Sequence, residues 1–245
     1  MFKENFVIKG KLVCETGLHI GGANNAINIG GADNILIRDS VSDLPFIPGS
    51  SLKGKLRSLF ELNDKESAQS VMKNEGNPAT DDNSKAVKIF GVSADNNNNN
   101  NNKALNFPTR LIVRDSFPTE ESIELWNKQE DIVRGAELKD ENKLNRITSA
   151  ATPRSIERIP KGSVFAFEFI FSVYEGDENN LRGLFEAMRL LEDNYLGGSG
   201  SRGYGKVKFA NISITKRGQD YYKKDMDEEV IIENADISEA VKSIN

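Results

Sequence analysis

Four stretches of this sequence bring together residue types that do chemistry. His19 is the sole histidine, set between Leu18 and Ile20 and followed by two glycines. An imidazole there has three readings: a packed side chain, a phosphate contact or a general base. Asp33 sits in Gly30-Gly-Ala-Asp-Asn, where a carboxylate either makes an Asx-turn or handles a metal or a proton. A single carboxylate holds Mg only when phosphate or water completes the shell. Third, Pro48-Gly-Ser-Ser-Leu-Lys-Gly-Lys-Leu-Arg places Ser50 and Ser51 at the start of a helix with Lys53 and Arg57 on its flank. That is a seat for phosphate, or an amphipathic helix capped by serine with solvated cations. The fourth stretch, Gly197 to Gly205, has five glycines in nine residues around Arg202 and Tyr204. Glycines such as Gly198 and Gly203 let a backbone approach a ligand closely, and successive N–H groups form an anion nest. The loop leads into a strand, the reverse of phosphate-binding loops that run from strand to helix.

Composition narrows the chemistry. One cysteine, Cys14, and one histidine exclude an intramolecular disulfide and zinc centres built from several Cys or His ligands. A metal would use oxygen ligands, which points to Mg, Mn or Ca. With 245 residues, 38% hydrophobic and 28% charged, the chain has the make-up of a soluble globular protein of one large or two small domains. No stretch approaches the roughly 20 apolar residues of a membrane span. Lys3, Glu4 and Lys9 interrupt any apolar run at the start, so the expectation is a cytoplasmic protein with no membrane partner.

The formal charge of -5 argues against a nucleic-acid partner until it is divided. Residues 219 to 245 carry eight acids against three lysines, and the remainder is balanced. Within that remainder, Pro48 to Phe60 and Leu196 to Gly218 contain cations and no acid, so local positive patches survive the global sign.

The elements that must position these residues follow from periodicity. Phe6 to Cys14 reads as a strand and Ile35 to Asp39 as a second, with the glycine-bounded loop between them. Leu52, Leu56, Leu59 and Phe60 recur at helical spacing, with Ser50 or Ser51 as the cap. Residues 63 to 106 are polar, include the run Asn96 to Asn102 and read as a disordered surface insertion, interrupted by a helical turn at Val87 to Gly91. Thr109 to Phe117 is another strand. Residues 135 to 162, with Arg146, Arg154 and Arg158 and two prolines, read as a protruding hairpin. Val164 to Tyr174 is the most secure strand, Leu181 to Leu196 a helix, and Lys206 to Ile214 the final strand. This order fits one α+β domain over 1 to 218, an RRM-like (ferredoxin-like) core with an inserted thumb hairpin and a helical, polar insertion. An acidic tail at 219 to 245 follows, with a short helix at Ile237 to Val241.

Read in order, several segments resemble the RAMP superfamily, and within it the backbone subunits of type III-A (Csm) CRISPR effector complexes. They are Thr16-Gly-Leu-His-Ile-Gly-Gly, Asp33, Ile47-Pro-Gly-Ser-Ser-Leu-Lys-Gly-Lys-Leu-Arg, Glu141 through Phe165, and Gly-Gly-Ser-Gly-Ser-Arg-Gly-Tyr-Gly. The resemblance implies a protein that stacks head to tail with further copies of itself along a CRISPR guide RNA, an open filament rather than a ring. Ser50, Ser51, Lys53, Arg57 and the glycine loop with Gly198, Arg202, Gly203 and Tyr204 would hold the guide, alongside His19. Residues 146 to 158 would be a thumb that inserts into the guide–target duplex, with Arg146 and Arg154 on it and Pro153 and Ile156 as its wedge. The position of Asp33 matches a residue needed for divalent-metal-dependent (Mg or Mn) cutting of complementary target RNA at regular intervals. Implied partners are the large polymerase-like, small and end-capping RAMP subunits. Two alternatives stay open: a non-catalytic RNA-binding backbone, and a metal-independent nuclease processing CRISPR precursor RNA with His19.

Overall fold

Strict alternation builds the centre of the molecule. In Val164–Tyr174 the odd positions Phe165, Phe167, Phe169 and Phe171 are buried, while the even positions between them are more exposed. A strand turns successive side chains to opposite faces, so this pattern covers one face of a sheet with aromatic rings. Emptying one such position, as in Phe169→Ala, costs about 3–5 kcal/mol. The computed structural model describes residues 1–22, 34–92, 109–177, 180–224 and 226–244. Asp33 and the run Asn96 to Asn102 lie outside the described residues.

In chain order the elements are β1 (Phe2–Cys14), α1 (Gly49–Asn63), α2 (Lys65–Lys73), α3 (Lys85–Phe90), β2 (Leu111–Val113), β3 (Phe117–Pro118) and α4 (Glu120–Asn127). Then come β4 (Glu137–Leu144), β5 (Ala151–Arg158), β6 (Val164–Tyr174), α5 (Asn180–Glu192), β7 (Val207–Gly218), α6 (Gln219–Lys224), β8 (Glu229–Ala235) and α7 (Ile237–Ser243). The main sheet is antiparallel in the order β2-β6-β1-β7-β8, with β3 also on β6. The units β1-α1-β2 and β6-α5-β7 interleave, each giving one central strand, which is the ferredoxin-like arrangement. Leu52, Leu56 and Phe60 of α1 and Leu184, Met188 and Leu191 of α5 bury against the phenylalanine face.

The opposite face is not an RRM reading surface. At its centre stand Val7, Lys9 and Lys11 of β1, opposite Ile170, Glu168 and Ala166 of β6 and near Thr215 and Ser213 of β7. None of these positions holds the aromatic side chain on which an RRM stacks bases. Its cations are also paired, Lys9 with Glu168 at 3.3 Å and Lys11 with Glu121 at 2.8 Å.

Three segments depart from the sequence expectation. The start of the polar insertion is packed: α2 is capped by Asp64 and α3 by Ser84, and the hydroxyls of Ser67 and Ser84 meet at 2.8 Å in a buried contact. Its polarity is spent on caps and turns, which a hydropathy reading takes for solvation. Ile35 to Asp39 makes isolated bridges instead of a strand. At 219 to 245, where the sequence suggests an acidic tail, β8 extends the sheet along β7, and α7, closed by a capping box between Asp236 and Glu239, buries Ile237 and Ala240.

Candidate nucleic-acid interface

The glycine loop folds back onto the segment that carries His19. Gly197 has a φ of 73°, and a Cβ there would collide with the His19 carbonyl oxygen. That oxygen accepts the Gly198 N–H at 2.8 Å. Further along, Arg202 N–H donates to Ser199 O, Gly203 N–H to Gly200 O and Gly205 N–H to Gly17 O. The expectation of an anion nest is thereby corrected for Gly198 and Gly203, because the Gly198 donor is taken by His19 O and the Gly203 donor closes the loop itself. What the loop offers outward is the side chain of Arg202, exposed and steadied by Ser199 Oγ at 2.6 Å.

His19 ties this loop to the hairpin. Its Nδ1 lies 2.7 Å from the Glu157 carbonyl oxygen of β5. Asn34, the residue after Asp33, bridges to Ile156, with Glu157 N–H donating to Asn34 O at 3.0 Å. The Glu157 carboxylate accepts Leu36 N–H at 3.0 Å and faces Arg38 at 3.4 Å. One set of short links thus joins Asn34, His19, the hairpin root and the glycine loop. Nothing in the linear spacing, 138 residues between His19 and Glu157, announces this.

On α1 the four expected contacts divide. Ser50 is exposed and Ser51 half-buried at the first turn, but neither caps the helix. The N-cap is Pro48, and the Asp115 carboxylate takes the Gly49 N–H at 2.7 Å. Lys53 reaches Leu111 O at 3.0 Å and Thr109 Oγ1 at 3.3 Å, and burial, with Arg57 nearby, lowers its pKa. Arg57 points inward: Nε donates to Glu61 at 2.7 Å, Nη1 to Gly91 O and Nη2 to Ala79 O, both at 2.9 Å. Its reading as a guide contact is corrected, since those bonds turn the guanidinium into the fold. Lys55, not singled out from the sequence, lies 3.9 Å over the Tyr195 ring, against which Gly200 of the glycine loop also packs. Its cation is therefore presented beside Arg202's loop.

The hairpin pairs β4 with β5 in the register Glu137↔Arg158, Lys139↔Ile156 and Glu141↔Arg154. These residues share one face, and on it Arg158 bonds Glu137 at 2.5 Å and Arg154 bonds Glu141. Tyr204 leaves the glycine loop to join them. Its hydroxyl donates to Glu141 Oε1 at 2.8 Å, and its ring lies under Lys139 and Arg158. The two hydrogen bonds hold the Glu141 carboxyl below the usual glutamate range, while burial and that same carboxylate push the Tyr204 phenol up. At 2% exposure Tyr204 is a joint between loop and hairpin, which corrects its reading as an RNA contact. Ile156 is corrected likewise: at 4% exposure it is packed at the root and cannot wedge between bases. Pro153 and Arg146 are exposed, and the large apolar residue at the tip is Ile147, 94% exposed. Leu144, the last residue of β4, is also exposed.

Two further chemistries are weighed by the geometry. Cys14 is fully buried, and burial pushes its thiol up to about 12, so it is no nucleophile at neutral pH. No group of three or more His, Cys, Asp or Glu side chains suited to a metal occurs among the described residues. Nor, among them, is any helix long and apolar enough to cross a membrane.

Comparison with known proteins gives a consistent answer. The profile of the RAMP superfamily matches residues 11–208. A protein of Methanothermobacter thermautotrophicus named "CRISPR system Cms endoribonuclease Csm3" is 49% identical over 234 residues, covering 91% of this chain and 90% of its own. A protein of the same name from Methanocaldococcus jannaschii is 39% identical, over 92% and 91% of the two chains. Among solved structures, a chain of a Csm3–Csm4 subcomplex from the type III-A CRISPR-Cas interference complex matches with a TM-score of 0.65 and 29% identity, over 100% of this chain and 96% of that one.

Proposed function

The chain belongs to the RAMP superfamily and within it to the Csm3 family, and from that membership we propose that it is an RNA-binding backbone subunit of a type III-A CRISPR effector complex that also cuts RNA complementary to the guide. The observation that carries the reading is the set of short links at His19. They bring Asn34, the residue next to Asp33 in the chain, the glycine loop with Arg202 and the root of the hairpin to one place. A protein that holds one strand and cuts its complement needs those three parts adjacent: a cationic seat for backbone phosphate, an arm that distorts the duplex, and a reactive group where the distortion falls.

In this reading Arg202, Lys55, Ser50 and Ser51 face the guide backbone, Lys53 adds positive charge from its seat on Leu111 O, and base pairing carries the sequence specificity while the protein reads shape. The exposed tip with Ile147, Arg146 and Pro153 is the part of the hairpin available to the duplex. Asp33 is the acting carboxylate. Asp33 is the residue this reading assigns to a Mg or Mn site. Such a site matches the habit of Mg of taking one or two carboxylates and completing its shell with phosphate oxygens and water. The ion would neutralise charge on the phosphate being cut. Partners are the guide, the target RNA, further copies of the chain and the other subunits, large, small and end-capping. The TM-score match to a chain of a Csm3–Csm4 subcomplex supports that class of partner.

The test is a complex purified with co-expressed guide RNA and offered complementary RNA. Wild type should cut at evenly spaced sites in Mg or Mn and stop in EDTA, and Asp33→Asn should lose at least 100-fold in rate while keeping the guide. Unchanged cutting by Asp33→Asn would overturn the assignment. Guide retention with no cutting by wild type would leave a non-catalytic backbone, and cleavage of precursor repeats in EDTA would point to His19.

A further inference from the structure

The hairpin is anchored unequally. Strand β5 and the residue that follows it are tied to the body through backbone: Leu18 and Ile159 exchange hydrogen bonds at 3.0 and 2.8 Å, and Asn34 bridges to Ile156. Strand β4 is tied through side chains, with Glu141 and Lys139 both on Tyr204. We propose that the bond between Tyr204 and Glu141 is the joint through which the glycine loop sets the angle of the hairpin, which makes Tyr204 a positioning residue for target cutting. The part about cutting rests on the function proposed above; the mechanical part does not.

The geometry gives the joint leverage. Glu141 lies four residues beyond Glu137 at the root and four short of Asn145 at the tip turn. At roughly 3.3 Å per residue each arm is about 13 Å, so slack of about 1 Å at Glu141 becomes about 2 Å at the tip. Misplacement of about 1 Å already costs on the order of 100-fold where reacting atoms must be aligned. The joint is also specific to the hydroxyl. The ring is buried under Lys139 and Arg158 and would stay packed as phenylalanine, while Glu141 would keep Arg154 and lose its link to the loop. Because Tyr204 follows Arg202 by two residues, strain on the loop from bound phosphate passes to the hairpin through one short segment.

Two measurements test this. In guide-loaded complexes with Asp33 intact, Tyr204→Phe and Glu141→Ala should each slow cutting by about 10-fold or more with guide affinity within about twofold, by the alignment argument. The double variant should be no slower than the worse single, because both remove one interaction. Glu141→Gln should recover most of the rate, since its amide accepts from Arg154 and donates to the phenol oxygen. Additive losses would overturn the joint. Separately, a spin label on Ile147→Cys in the full chain without RNA reports tip motion, the buried Cys14 staying unlabelled. The label should become more mobile in Tyr204→Phe. Equal mobility would overturn the proposal whatever the cutting assay gives. A mobility response in a complex whose wild type does not cut would retain the joint and reject the cleavage reading.

Discussion

Arg57 and Arg202 look alike in the sequence and end in opposite roles. Each stands in a stretch free of acids beside glycine and serine. In the fold, Arg57 is 16% exposed and bonded to a carboxylate 7% exposed and to two carbonyls of the polar insertion. Arg202 is exposed and touches one hydroxyl of its own loop. The difference lies just outside the segments. Glu61 follows Arg57 by four residues, one helical turn, and closes an i,i+4 pair. Other cations of 196 to 218 are met across the fold, Lys206 by Glu15 at 2.9 Å, Lys216 by Glu229 at 2.6 Å and Arg217 by Glu228 at 2.7 Å. A cation without acids in its own segment is thus not an open cation, and the contrast between a spent and an open arginine can be tested at each.

The largest effect should come from Arg57→Ala. It leaves the buried Glu61 without its partner and two carbonyls without a donor, a loss of about 3 kcal/mol by the range for broken buried pairs. For a chain of this length that lowers Tm by about 6–12 °C. Thermal unfolding of the purified chain reads it. The comparison breaks if the Tm holds and guide affinity falls instead, since Arg57 would then be an open cation like Arg202.

Arg202→Ala should do the reverse. Because its hydrogen bond among the described residues is to Ser199 Oγ, its removal should shift Tm by less than about 2 °C, the scale for surface substitutions. Guide affinity should drop several-fold, and the slope of log affinity against log salt should shrink by about 0.7–0.9, one phosphate contact. Binding titrations at several salt concentrations decide this, and an unchanged slope would remove Arg202 from the guide interface.

The same contrast explains what the sequence made legible. Alternation at Phe165, Phe167, Phe169 and Phe171 identifies a strand because each residue reports its own environment. The helices α1 and α5 are legible for the same reason. For Ile156 and Tyr204, periodicity says which residues share a face and not what lies against it: Ile156 alternates like an exposed hairpin residue, yet Asn34 bridges its strand edge and Tyr204 packs on the face it shares with Arg158. The insertion is not legible as packed because serine and aspartate spent on caps look like solvated ones. Asp33 and His19 came into view through family resemblance and glycine context. The tie from His19 to Glu157 is a tertiary fact that no local pattern encodes.

The smallest effect concerns the acid beneath Arg202. Glu141 is the counterpart of Glu61: each carboxylate takes an arginine, but Glu61 is buried and Glu141 sits near the surface, bonded to Tyr204 and Arg154 with Arg202 adding to the favourable field. Its folded-state pKa is lowered, first by the Tyr204 hydroxyl and then by Arg154. A lowered carboxylate pKa stabilises the fold fully above the unfolded value, about 4.3 for glutamate, and that contribution is lost as pH falls through the folded value. The stability difference between wild type and Glu141→Gln should therefore be flat from neutrality down to about pH 5 and shrink below it. Urea unfolding of both chains across that range measures it. Adding Arg202→Ala should make the shrinkage smaller and complete it at slightly higher pH, its onset staying at the unfolded value, because part of the field holding Glu141 ionised is gone. If the difference instead stays constant to about pH 3, Glu141 carries no ionisation-linked stability, and the loop would be joined to the hairpin by the packing of Tyr204 alone.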